Sequence, residues 1–149
     1  MRPLVIHILP ALVTAGAERI VASLAVRLPG RGFDSEVWSL QQADTPLARE
    51  LRDAGVKVVG LGSLRFNSLG CSRAIRRNLP SQRPLILHGH LFHANLAARL
   101  SMSALKPAHR VGVHVLSTIH VIERRFRPWQ FMLDLSLIHI SEPTRLRRI

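Results

Sequence analysis

Short apolar runs alternate along the chain with longer segments in which apolar residues recur every three or four positions. Leu4 to Leu9, Glu36 to Leu40, Val56 to Leu61, Leu85 to Gly89 and Val111 to Ile119 have the length of strands, and several are rich in valine and isoleucine. Between the first two, Ala17 to Leu28 places Ile20, Val21, Leu24, Ala25 and Leu28 on an i, i+3, i+4, i+7 stripe, which predicts a helix packed on a sheet. Pro29-Gly30 and Gly32 end it. Pro46 to Ala54, with Thr45 as N-cap before Pro46 and Gly55 beyond its last residue, is a second helix. Ser68 to Leu79, closed by Pro80, and Ala94 to Leu105 are the third and fourth.

Strand and helix in repeated alternation, joined by right-handed crossovers, predict an α/β fold: a Rossmann-like, doubly wound, mainly parallel sheet. Ligands of such sheets sit beyond the carboxyl ends of the strands, where the strand order reverses. With the order 3-2-1-4-5, the loops after strands one, four and five face one crevice. Candidate chemistry is sought there.

After strand one, Pro10 to Gly16 leads into a helix opening at Ala17-Glu18-Arg19, so free backbone N–H groups and the positive helix end face the crevice. A phosphate or carboxylate is stabilised in such a place. The simpler reading of Gly16 is a tight turn in which the glycine supplies a backbone conformation or close packing. Glu18 reads as a capping and dipole partner. The absence of a G-x-G-x-x-G string argues against a standard dinucleotide site.

After strand four the chain reads Leu87-His88-Gly89-His90-Leu91-Phe92-His93-Ala94-Asn95. His88 and His90 share a face if the strand continues, and Gly89 permits a close approach by another chain or a ligand. No carboxylate or cysteine lies near these histidines in sequence, which favours hydrogen-bonding roles over a metal site. After strand five, Ser117-Thr118-Ile119 is followed by His120. Singly, each histidine reads as structural; with the first loop, His90 and His120 at one crevice, a binding site is the better reading.

Composition narrows this further. The 149 residues, 47% hydrophobic, suit one domain that buries about two thirds of its unfolded surface. Cys71 is the single cysteine, so an internal disulfide is excluded and a reducing compartment is expected. No apolar run has the length of a secretory signal or a transmembrane helix, which makes a cytoplasmic protein, soluble or peripheral to a membrane, the default. Lys and Arg number 21 against 9 Asp and Glu, a net charge of +12 that attracts phosphates, anionic lipid or nucleic acid. Aromatic and basic residues form no stacking platform, so nucleic acid is not expected. Arg73, Arg76 and Arg77, and the group Arg124, Arg125 and Arg127, read as solvated surface or as contacts to an anionic polymer or membrane.

The string from Ile6 to Leu28, I-H-I-L-P-A-L-V-T-A-G-A-E-R-I-V-A-S-L-A-V-R-L, resembles the opening of glycosyltransferases of family 4, whose first loop typically reads G-G-A-E-R. Ala15 stands where that pattern has its first glycine. E-L-R-D-A-G-V-K-V before strand three, L-H-G-H-L-F-H-A-N-L-A-A-R-L at strand four and V-L-S-T-I-H at strand five follow at the expected intervals, so the resemblance spans Arg2 to about Asp134. It implies the N-terminal, acceptor-side domain of a GT-B enzyme that moves a sugar, with retention of configuration, from a nucleotide-sugar donor to a glycan, lipid-linked or small-molecule acceptor. No metal or other cofactor is implied. By position, Ala15 and Gly16 meet the donor diphosphate, His90 lies near the acceptor and the reacting sugar as the catalytic candidate, and His120, His93 and Asn95 line the acceptor cleft.

The family's donor-binding C-terminal domain has no counterpart in the 149 residues, so the chain alone is expected to be inactive. The stretch from Leu135 to Arg145 resembles a translated sequencing adapter, which divides the chain into an incomplete domain, 1–134, and a non-native tail, 135–149. The competing reading is a non-catalytic basic module that binds anionic lipid or polysaccharide.

Overall fold

Six consecutive positions from Leu4 to Leu9 are buried, and a strand covered on both faces belongs at the centre of a parallel sheet between helix layers. The computed structural model, which describes residues 1–62, 67–80, 83–105, 111–119 and 132, places it there. The elements are β1 (Leu4–Leu9), α1 (Gly16–Arg27), a 3₁₀ turn (Leu28–Arg31), β2 (Asp34–Ser39), α2 (Pro46–Asp53), β3 (Lys57–Gly60), α3 (Ser68–Asn78), β4 (Leu85–His90), α4 (Leu91–Ser103) and β5 (Val113–Thr118). The five strands run in the order β3-β2-β1-β4-β5, and every pairing is parallel. This is the doubly wound sheet and the order expected from the sequence.

Alternation along β1 divides the core in two. Leu4, Ile6 and Ile8 join Trp38, Leu40, Leu85 and Leu87 in packing against Cys71 and Ile75 of α3 and Ala94, Ala97, Ala98 and Met102 of α4. Leu9 and Val37 face Val21 and Ala25 of α1 and Leu47, Ala48 and Leu51 of α2. The small residues of α4 bring its axis close to the sheet. Cys71 is a buried packing residue, in keeping with its apolar neighbours.

Local chemistry sets the boundaries. The Thr45 hydroxyl accepts from the Ala48 N–H at 3.2 Å, and Pro46 occupies the first turn of α2, as its sequence predicts. β2 begins two residues before the expected Glu36, because the Asp34 N–H donates to the Pro3 carbonyl at 2.9 Å and the Asp34 carboxylate pairs with Arg83. Those polar residues carry no strand signal of their own; the ladder recruits them.

The α1 stripe is narrower than expected. Glu18, Val21 and Ala25 face the sheet, whereas Ile20 is 60% and Leu24 38% exposed. At roughly 100° of rotation per residue, Ile20 and Leu24 stand about 80–120° away from the line through Val21 and Ala25, beyond what one side of a sheet covers. Among the described residues, no helix is long and apolar enough to cross a membrane.

Ile75, fully buried between α3 and the sheet, and Ile20, mostly solvent-facing, give a matched test. Ile75→Ala is expected to cost about 2–5 kcal/mol in urea unfolding. Ile20→Ala, whose position leaves little to lose, is expected to stay within about 0.5 kcal/mol.

Candidate functional site

The in-register pairing of β1 with β4 sets His7 beside His88, and the two-residue period of a strand puts His90 on the same face. Three imidazoles therefore converge near the carboxyl edge of the two central strands. Their ring centroids lie 4.0 Å apart for His88 and His90, 5.2 Å for His7 and His88, and 5.4 Å for His7 and His90. His7 Nδ1 and His90 Nε2 share a hydrogen bond of 3.1 Å. His88 Nε2 is 2.7 Å from the Thr118 hydroxyl on β5, so the cluster ties three neighbouring strands together.

All three rings are buried, His7 completely and His90 to 1% exposure. Burial, reinforced by the proximity of His88, lowers the His7 pKa from 6.5 to about 3. His7 is thus neutral at physiological pH. Its Nε2 atom has no hydrogen-bond partner among the described residues. One ring nitrogen from each of the three histidines lies within 4.8 Å of the others, an arrangement that suits a shared ligand atom.

β4 passes into α4 without a loop. The sequence predicts the helix from Ala94; it starts three residues earlier, at Leu91, which holds a left-handed φ of 67°. That conformation costs a leucine about 1–2 kcal/mol, and no N-cap or glycine announces it in the sequence. The close approach anticipated at Gly89 is made by the chain's own helix. A Cβ there would meet Asn95 Oδ1 at 2.6 Å and the Asn95 Cα and N at 2.9 and 3.0 Å. Asn95, buried, reaches the Thr118 carbonyl at 3.4 Å, and Arg99, one turn on, donates to the Ser117 hydroxyl at 3.1 Å. The inner face of α4 thus fixes the end of β5.

The opening of α1 is bare. Ala15 is an extended N-cap with no side-chain cap bond, and Gly16 is exposed. Gly16 has neither a positive φ nor any atom within 4 Å of where a Cβ would sit, so the turn and packing explanations for it fall away. Glu18 is buried in the first turn with Val21 and Ala25; it makes no cap bond, which corrects that part of its expected role, and it keeps its place by the positive helix end. Arg19 pairs with Glu50 at 2.6 Å, each about half exposed, an interaction of little net strength.

His93 is exposed and stands edge-on to Phe92 at 5.5 Å, apart from the histidine cluster. His120 lies outside the described residues, as do Arg124, Arg125, Arg127 and the stretch 135–149. Arg76 caps the end of α4 through the Ala104 carbonyl at 3.2 Å. An open groove of about 460 Å³ lies between α1 and α2, lined by residues such as Arg19, Val26, Leu47 and Glu50, and shares none of the crevice residues.

Sequence reasoning missed His7, Thr118 and Arg99. The signal for His7 was present: one polar residue in phase with Val5 and Leu9 inside an otherwise apolar strand. Thr118 and Arg99 gave none, since each acquires its role from a neighbouring element.

Two measurements probe this geometry. Gly89→Ala forces its methyl onto the Asn95 backbone and is expected to cost about 1–3 kcal/mol in chemical unfolding. For His7, the unfolded ring takes up a proton near pH 6.5 that the folded ring refuses until about pH 3. Its contribution to stability is therefore fully present above about pH 6.5 and declines as pH falls toward 3, by at most about 1.4 kcal/mol per unit. In chelator-treated buffer, urea midpoints from pH 8 to 5 should fall more steeply for the parent chain than for His7→Asn; parallel curves would contradict the assignment.

No curated protein and no solved structure matches the chain. A family profile described as a glycosyl transferase 4-like domain matches residues 15–143, which takes in α1 to β5 and reaches nine residues beyond Asp134. With most of its length matched and the expected parallel sheet in place, the chain belongs to the glycosyl transferase 4-like domain family.

Proposed function

We propose that this domain is the acceptor-side half of a retaining transferase that moves a sugar from a nucleotide-sugar donor to a glycan, lipid-linked or small-molecule acceptor. One observation carries the reading: the uncapped, open start of α1 and the histidine cluster ending in His90 stand at the carboxyl edges of adjacent strands. Departure of a nucleoside diphosphate from an oxocarbenium-like sugar builds negative charge on phosphate oxygens. The Gly16 backbone N–H, with the positive end of α1 behind it, is suited to receive that charge; the Ala15 N–H donates to the Val13 carbonyl at 3.1 Å and joins only if that turn opens. The methyl of Ala15, in place of the family's usual glycine, narrows the approach.

His90 acts from the floor of the crevice. Its ring is held by His7 and lies against the tilted ring of His88, so its orientation is fixed before any substrate arrives. With so little exposure, it meets an acceptor or the reacting sugar when the crevice opens above it. His93 and Asn95 on α4, together with His120, complete the acceptor side. The scheme uses no carboxylate nucleophile, and the transfer step uses no cofactor. The donor's nucleotide is held mainly by a second domain, and transfer requires both; the setting is cytoplasmic, where nucleotide sugars are made. The salt bridges and caps formed by Arg19, Arg76 and Arg83 make a stand-alone anion-binding module the weaker reading.

The test joins the domain to the sequence that follows it in the source gene and follows nucleoside diphosphate release from a panel of nucleotide sugars. Turnover that depends on an added acceptor is expected. His90→Ala should lower kcat by about 10²-fold or more, and His93→Ala should act mainly on KM for the acceptor. Full activity in the His90 variant would remove that residue from the scheme, and release of diphosphate by no donor would remove the scheme itself.

A further inference from the structure

We propose that His7, His88 and His90 form a binding site for a borderline divalent transition-metal ion, with zinc as the natural occupant. The inference stands on the geometry of the cluster and does not rest on the transfer reading; an ion held by His90 Nε2 competes with the role proposed for that ring in transfer.

Two adjacent parallel strands supply the three rings from fixed backbone positions, His7 opposite His88 and His90 two residues on. One nitrogen from each falls within a 4.8 Å span. Four-coordinate zinc holds imidazole nitrogens at about 2.0–2.1 Å, which separates two such ligands by roughly 3.3–3.4 Å. His7 Nδ1 and His90 Nε2 are 3.1 Å apart, within a few tenths of an ångström of that spacing; an ion replaces the proton they share, and the two rings turn to aim both lone pairs at it.

The surroundings are those of a metal site. The Thr118 hydroxyl, 2.7 Å from His88 Nε2, anchors that ring from outside, as hydrogen bonds to ligating histidines commonly do. The rings are buried at 0%, 7% and 1% exposure, so solvent competes little for their lone pairs. Thr118 and Leu116 lie on the same sheet face one strand over, partly accessible, and give the ion a route in from the β5 side.

Ligand type selects the ion. Three imidazoles and no carboxylate among the cluster's ligands favour zinc, cobalt, nickel or copper and exclude magnesium and calcium, which require oxygen donors. Three protein ligands leave a fourth position for water or another small donor. The site carries a net charge of +2 when filled, directly beneath the carboxyl edge of the sheet.

The untagged 149-residue chain, stripped with a chelator and dialysed, is titrated with cobalt chloride while visible absorption is followed, and with zinc chloride in a calorimeter. One equivalent of cobalt should bind with the intense bands of a four-coordinate ion, and zinc should displace it and raise Tm. His7→Ala and His90→Ala should each weaken binding by more than about tenfold, and Thr118→Val by about tenfold; His114→Ala, an exposed histidine outside the cluster, should leave it unchanged. Far-UV circular dichroism establishes which variants fold, with His7→Gln and His90→Gln replacing any alanine variant that does not. Absence of saturable binding by the parent chain, the weak bands of a six-coordinate ion, or affinity undiminished in folded His7 and His90 variants would overturn the proposal.

Discussion

The parallel pairing of β1 with β4 is the constraint on which the rest depends. These strands are separated in sequence by three helices and two other strands, yet they meet in register from Leu4 against Leu85 to Ile8 against Gly89. That register places His7 beside His88 and brings the open end of α1 next to the start of α4. A slip of one residue would turn His7 toward α3 and α4 and send Ile6 or Ile8 into the crevice. Apolar burial enforces the register: each β1 residue on the α3 and α4 face is almost fully enclosed, and a misplaced histidine there would be an unsatisfied polar group.

The fold was legible because the periodicities are strong. Apolar runs in β1 and β4, the Thr45-Pro46 start of α2 and the Pro80 stop after α3 are local signals, and the structure agrees with each to within a residue or two. The failures came where tertiary contact overrides local preference. Ile20 and Leu24 fit the helical stripe as well as Val21 and Ala25 do, and only the width of the sheet beneath decides which pair is covered. Leu91 is among the least expected residues for a left-handed conformation, yet the descent of α4 onto Gly89 demands it.

The candidate site was legible in outline. His90 and the first loop fall on one crevice because strand order dictates it, and that much follows from counting elements. The partners that give His90 its character are supplied from elsewhere. His7 lies 83 positions away, and Thr118 reaches the cluster through His88 on a third strand. A sequence lists three histidines close together at strand four and so draws attention to His93, which the helix turns outward. The third member of the actual cluster sits near the start of the chain, disguised as part of an apolar strand.

The direct junction of β4 and α4 couples the crevice mechanically to the far side of the domain. A loop between strand and helix would absorb a displacement at His90; here there is none, and α4 extends for 13 residues, about 20 Å, from that point. The helix is seated on Gly89 at Asn95 and held along its length by Ala94, Ala97, Ala98 and Met102 in the core shared with α3. A shift of the His90 backbone therefore has to carry α4 with it, against packing that runs from Ala94 to Met102 and the Arg76 bond to the Ala104 carbonyl, so the crevice floor is as rigid as the helix layer behind it.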